Sequence, residues 1–255
     1  MDDGLDELRA DVTDLSTNIR ELLRWESELS GTGIPDVPGL SDREASQGAV
    51  SEPRPALTSA AVPAVKDPAH RLRLLSEEAA ACTACVLHEG RNRSVFARGN
   101  AQAEILFVGE GPGANEDQQG VPFVGRAGEL LDRMIAAMGF GPEEIYICNV
   151  VKCRPPENRT PTSEEAQACL GFLTQQIEVV QPKVIVALGR CAAENLGLAT
   201  PGQGGWRGRW GEVSGVPSLP TYHPAYLLRS PEQKKPVWGD LKQVVAHLGR
   251  SLPRR

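Results

Sequence analysis

The sequence predicts an α/β fold, three layers α/β/α with a mostly parallel central sheet, behind an N-terminal amphipathic helix on a flexible linker. Three observations carry that expectation: short, continuously apolar runs that end in glycine or polar loops, helical patterns lying between those runs, and a change of texture near residue 69. Short apolar runs of this kind suit strands buried on both faces, and their alternation with helices suits a parallel sheet.

In chain order, Leu5, Leu8, Val12, Leu15, Ile19, Leu22, Leu23, Trp25 and Leu29 recur at three- and four-residue steps, which reads as one amphipathic helix within residues 1–30. Such a helix packs on its own domain or a copy of itself, or serves as a docking arm for a protein partner. Residues 31–68 are rich in Gly, Pro, Ser and Ala and read as a linker. Residues 69–255 then form the main domain. Its first strand is Glu104-Ile105-Leu106-Phe107-Val108, a helix follows at Gly125–Met138, and a second strand spans Ile145–Val150. Another helix at Thr162–Val180 leads to a third strand, Lys183–Leu188, which stops at Gly189. In this architecture ligands sit where strands end, so the loops at Gly109, Asn149 and Gly189 are the places to look.

Charge and composition narrow the class. The 255-residue chain carries a net −6, but residues 1–50 hold 12 acidic residues against 4 arginines, so the leader is −8 and the remainder +2. A mildly basic body behind an acidic leader is compatible with a phosphate-bearing partner. No apolar run approaches the roughly 20 residues of a membrane span. The acidic start, Met1-Asp2-Asp3, lacks the basic and apolar segments of an export signal, so a cytoplasmic protein is expected. Six cysteines in a reducing compartment are then thiols or metal ligands rather than a disulfide framework.

Four of these cysteines fall in a suggestive order: Cys82-Thr83-Ala84-Cys85 before the first strand, Cys153 past the second, and Cys169 on the helix that follows. Four thiols so divided suit an iron–sulfur cluster or a four-thiolate zinc site, with four ordinary buried cysteines as the plain alternative. Cys148 and Cys191 read as core residues.

The loop Gly109-Glu110-Gly111-Pro112-Gly113-Ala114-Asn115-Glu116-Asp117 lets backbone approach a ligand closely. It lacks the Lys-Ser/Thr ending of a P-loop, and its carboxylates repel phosphate, which disfavours a nucleoside triphosphate. Phe123, in Gly120-Val121-Pro122-Phe123-Val124-Gly125, is a core plug or a stacking platform for a flat ligand. Asn149 caps its strand or offers donor and acceptor to a base edge. His223, in His223-Pro224-Ala225-Tyr226-Leu227-Leu228-Arg229, is by itself more often structural than catalytic.

Taken together, these segments resemble the family 4, iron–sulfur uracil-DNA glycosylases of the uracil-DNA glycosylase superfamily. The residues that carry the match are Cys82-x-x-Cys85, Gly109-Glu110-Gly111-Pro112-Gly113, Gly120-x-Pro122-Phe123-Val124-Gly125-x-Ala127-Gly128, Asn149-Val150-Val151-Lys152-Cys153-Arg154-Pro155-Pro156, Cys169 and His223–Arg229. They run in order through residues 70–250; residues 1–68 lie outside them. The resemblance implies a [4Fe–4S] cluster on Cys82, Cys85, Cys153 and Cys169, structural rather than redox-catalytic. It puts Phe123 on the uracil face, Asn149 on the pairing edge with Gly111 beside it, and His223 next to the departing base. Glu116 and Glu110 match acidic positions implicated in activity, and Tyr226, Leu227, Leu228 and Arg229 match the tip that enters the duplex.

The activity implied is hydrolytic release of uracil from single- or double-stranded DNA, without lyase action, by a monomer. A relative that captures DNA covalently uses a histidine on an inserted loop. The stretch Cys153–Thr160 has neither that histidine nor room for the insertion. The alternative in another class is a non-catalytic iron–sulfur module that binds uracil-DNA or recruits partners.

Overall fold

The computed structural model describes residues 67–253. The expected helix within residues 1–30 and the linker at 31–68, save its last two residues, lie outside the described residues.

The described chain opens with helix α1 (Pro68–Ala81), whose N-terminus is set by Asp67: its side chain accepts from the Ala69 N–H at 3.0 Å, and Pro68 occupies the first turn. A short helix α2 (Leu87–Gly90) and strand β1 (Ala97–Gly99) lead into β2 (Ile105–Gly109). Next come α3 (Ala114–Gln119), α4 (Arg126–Met138), β3 (Ile145–Asn149), α5 (Ser163–Val180), β4 (Val184–Leu188) and α6 (Arg190–Asn195). The remainder is β5 (Gly211–Val213), β6 (Val216–Thr221), α7 (Pro224–Arg229) and α8 (Lys234–His247). Helix α5 starts in a capping box, Thr162 with Glu165, and α4 ends at Gly139, where φ is 88°.

The strands form one sheet in the order β1-β3-β2-β4-β6-β5. The central pairs are parallel, and the two edge strands run antiparallel to their neighbours. Alternate strand residues feed two cores, as the two-residue period of a strand requires. Leu106, Val108, Tyr146, Cys148 and Ile185 pack with α1 and α5 on one face. Ile105, Phe107, Ile147, Val186 and Leu188 pack with α4 and α8 on the other. This is the three-layer arrangement that the apolar runs implied.

One interior strand is invisible to pattern reading. β6 carries Pro217 and Pro220, residues that normally argue against a strand inside a sheet because proline donates no ladder hydrogen bond. It nevertheless lies between β4 and β5. The Pro220 carbonyl accepts from the Gly208 N–H at 2.8 Å. Its end, Thr221, is two residues before His223, so this unforeseen strand sets where the imidazole goes. No helix among the described residues is long and apolar enough to cross a membrane.

Candidate active site and thiol hollow

The loops after β2 and β6 and the end of β3 converge on a cleft of about 470 Å³; of the three loops expected, those after Gly109 and at Asn149 line it, and His223 after β6 takes the place expected for the Gly189 loop. Glu110, Gly111, Glu116, Phe123, Asn149 and His223 all line it, together with Tyr226 and Arg229. The residues chosen from sequence for the cleft therefore share one cavity.

Asn149 ends β3 and is 2% exposed, yet its Oδ1 has no hydrogen-bond partner among the described residues. A buried orphan acceptor costs about 1–3 kcal/mol, and binding a ligand N–H removes that cost. The neighbouring Gly109 is needed here: a Cβ at that position would overlap Asn149 Oδ1 and the Phe123 ring.

Phe123 is held at φ 57°, a left-handed conformation that is strained for a bulky residue and costs on the order of 1–3 kcal/mol. Two devices hold it. Glu116 Oε1 accepts from the N–H groups of Val124 and Gly125, each at 3.0 Å. Gly128, in the first turn of α4, has no side chain to collide with the Phe123 carbonyl. Glu116 thus commits one carboxylate oxygen to the backbone of the Phe123 loop, which differs from the expectation of a carboxylate free to face a substrate.

His223 caps α7: its Nδ1 accepts from the Ala225 N–H at 3.1 Å, so in the neutral ring Nε2 carries the proton and is the donor. Its ring stacks near Phe123, with centroids 5.5 Å apart and planes at 28°. Burial, helped by the Arg229 charge and opposed by Glu116, lowers its pKa to about 4, so the imidazole is neutral at physiological pH.

Burial likewise raises the Glu110 carboxyl above its ordinary value, against hydrogen bonds from Thr160 and from the Cys191 thiol. Cys191 itself is pushed up to about 12, first by burial and then by the Glu110 charge, so it remains a thiol donor. Thr160 and Cys191 were not singled out as site residues by the sequence reading. Neither lies in a spacing that marks it, and only the fold brings them to Glu110.

One sequence expectation changes on the surface. Leu227, expected at an apolar tip, is 1% exposed and belongs to the core beside α4 and α8, because the period of α7 turns it inward. Leu228 and Arg229 remain exposed, and Tyr226 is half-buried. Arg159 makes a two-pronged pair with Glu165 at 2.8 and 2.7 Å, and Arg207 pairs with Asp240 at 2.5 Å. Arg229 forms no ion pair with another described residue.

A second recess is lined by Cys82, Cys85, Cys153 and Cys169. Cys153 Sγ accepts from Arg91 Nη1 at 3.0 Å, and Cys169 Sγ accepts from the Lys152 backbone N–H at 3.3 Å. No described cysteine is in a disulfide. Among the described residues, no three His, Cys, Asp or Glu side chains converge as they would on a single metal ion. The four thiols line one recess, and two of them have N–H donors already in place. Four cysteine sulfurs around one recess are a donor set that suits an iron–sulfur cluster or a four-thiolate zinc ion.

Comparison with known proteins agrees with this geometry. Residues 96–242 match the sequence model of the uracil DNA glycosylase superfamily. The chain is 46% identical over 178 residues to a type-4 uracil-DNA glycosylase of Thermotoga maritima, covering 68% of this chain and 92% of the relative. It is 41% identical over 186 residues to that of Archaeoglobus fulgidus, with 69% and 92% covered, and 40% identical over 185 residues to that of Sulfurisphaera tokodaii, with 68% and 83% covered. With the matched segment spanning the sheet, the cleft and two of the four thiols, Cys153 and Cys169, this chain belongs to the type-4 uracil-DNA glycosylases of the uracil DNA glycosylase superfamily.

Proposed function

We propose that the protein excises uracil from DNA as a monofunctional hydrolase, leaving an abasic site for DNA repair. The observation that carries this reading is the orphan Asn149 Oδ1 in a cleft with a strained aromatic plate and a neutral imidazole donor.

Flipping a nucleotide out of the stack costs a few kcal/mol, and an aromatic face such as Phe123 returns about 1–3 kcal/mol. Asn149 accepts from uracil N3–H and donates to O4. Cytosine presents the opposite pattern and would leave both buried groups unpaired, which is the condition for strong rejection. Cleavage breaks the bond between sugar C1′ and uracil N1, and the electron pair leaves with the base, largely onto O2. His223 donates Nε2–H to that oxygen as the charge develops. Being neutral at the start, it does not rely on a free cation that solvent would screen. Water adds to C1′ and loses its proton to a carboxylate.

Glu110 suits that proton transfer, since burial in the cleft raises its proton affinity. Glu116 is assigned to holding the Phe123 loop, because its Oε1 is already bonded to two backbone N–H groups. Gly111 lines the cleft, and a Cβ there would press on the Val151 side chain at 2.8 Å, so glycine keeps this loop packed on the segment after β3. Tyr226, Leu228 and Arg229 face the DNA, with Arg229 on a phosphate. Buried Leu227 supports them from within.

Cys82, Cys85, Cys153 and Cys169 would hold a [4Fe–4S] cluster. When bound, it cross-links α1, the segment after β3 and α5. The N–H donors that Arg91 and Lys152 aim at two of the sulfurs support this reading, since hydrogen bonds to the sulfurs are among the groups that tune such clusters. Residues 1–30 are assigned to docking a protein partner.

The deciding experiment incubates purified protein with an oligonucleotide containing one uracil, then applies alkali. Cleavage at the uracil and release of free base are expected. Tight, uracil-dependent DNA binding with an uncut strand would replace the enzyme by a binding module.

A further inference from the structure

Lys152 is the least expected charge in the molecule. It follows β3, is 1% exposed, and pairs with no carboxylate among the described residues. An ammonium is rarely buried without a partner, because desolvation costs several kcal/mol. Its contacts show what it touches. Nζ donates to the backbone carbonyl of Asn149 at 2.6 Å and to Gln176 Oε1 on α5 at 2.6 Å, and it lies 5.8 Å from the centre of the Phe96 ring. Gln176 is 0% exposed and is itself fixed: its Nε2 donates to the Phe96 carbonyl and to the Tyr146 hydroxyl. The Lys152 backbone N–H meanwhile donates to Cys169 Sγ. One residue thus touches the main chain of the candidate base-reading amide with its side chain and a thiol of the hollow with its backbone.

We propose that Lys152 is the positioning residue of the base-reading site, a strut that holds the Asn149 main chain against α5 and couples the filling of the thiol hollow to the grip on uracil. The proposal rests on the reading of the cleft as a uracil site. Fixing the Asn149 carbonyl fixes the direction in which its Cα–Cβ bond points, and so aims an Oδ1 that no other group restrains.

The recess that Lys152 lines also holds Cys153 and Cys169. Four thiolates around an iron–sulfur core leave a net negative charge, which is the counter-charge that the ammonium lacks in their absence. A filled hollow therefore steadies the ammonium, and the ammonium steadies Asn149.

Lys152→Met keeps the length of the side chain and removes the charge. The variant is expected to retain iron and sulfide, to bind free uracil about tenfold more weakly, since both charged hydrogen bonds that tie the Asn149 main chain to α5 are lost, and to discriminate less between uracil and cytosine at saturating DNA. Removing a nearby cation also moves the reduction potential of the cluster to a more negative value. A lysine with only a packing role would lower the melting temperature and leave uracil affinity, discrimination and potential as in the parent protein. That result overturns the proposal.

If Lys152→Met does not fold, Gln176→Leu frees the ammonium from α5 without removing it, and about a threefold loss of uracil affinity is expected. If neither folds, chelation of iron from the unaltered protein makes the same comparison, and unchanged uracil affinity in folded, iron-free protein overturns the coupling. A parent protein without iron or sulfide would remove the cluster while leaving the Asn149 strut to be judged on the uracil affinities. A parent protein that does not bind uracil would remove both.

Discussion

The cleft and the thiol hollow are both built on the stretch from Asn149 to Cys153, yet they treat polar groups in opposite ways. In the cleft an acceptor is left without a partner, a phenylalanine sits in a strained conformation, and a histidine is kept from charging. In the hollow two sulfurs already receive N–H donors, and the adjacent ammonium has its acceptors in place. That difference is the one expected if the cleft takes a ligand that comes and goes, as proposed, and the hollow a group that stays. Strain and unmet hydrogen bonds persist only where the surroundings enforce them, and here the hollow, α5 and α4 supply the enforcement.

That contrast breaks most sharply at Asn149. Asn149→Ala is expected to lower single-turnover uracil release by about 10³-fold or more and to blur the choice between uracil and cytosine. It should leave thermal stability unchanged or slightly raised, because it deletes an unsatisfied group. Cys169→Ala should do the reverse to stability, lowering the melting temperature along with iron content. Equal stability losses in both variants would erase the distinction.

A smaller effect is expected from His223→Ala, which should slow bond cleavage by about 10²–10³-fold and change DNA affinity far less. Single-turnover rates and binding isotherms on the same oligonucleotide separate the two. For Glu116 the two roles diverge by substitution. Glu116→Gln keeps an oxygen for the Val124 and Gly125 N–H groups and should retain activity within about threefold, whereas Glu116→Ala should lose on the order of tenfold or more through the Phe123 loop. Equal, large losses in both variants would return Glu116 to the chemistry.

The imidazole offers a milder test by pH. The His223 ring should titrate near pH 4 by NMR, below the ordinary value of 6.5. Between those two values the unfolded chain binds a proton that the folded chain does not, so this group lowers stability as pH falls through that window. A midpoint near 6.5 would remove the neutral-donor argument. Deleting residues 1–66 should matter least for chemistry, leaving uracil excision within about twofold, since the side chains assigned to base reading and cleavage lie between residues 110 and 229.

The parallel sheet was legible because its central strands are continuous apolar runs, and Cys82, Cys85, Cys153 and Cys169 were legible because cysteine is scarce and its spacing carries chemistry. Glu116 was legible as a cleft residue but not as a loop holder, since a carboxylate looks the same in sequence whether it faces a sugar or two backbone N–H groups. Leu227 was misplaced because an apolar residue at a helix tip turns inward or outward by helical phase, which depends on where α7 starts.

Local sequence determined the layers, the strand ends and which side chains bear chemistry, because two- and four-residue periods and turn residues act over short range. Only the tertiary structure decided that β6, despite two prolines, lies inside the sheet and brings His223 to Phe123, and that Lys152 folds back onto Asn149 beneath α5. Those outcomes depend on contacts between residues far apart in the chain, where burial and the lack of water settle what an isolated segment leaves open.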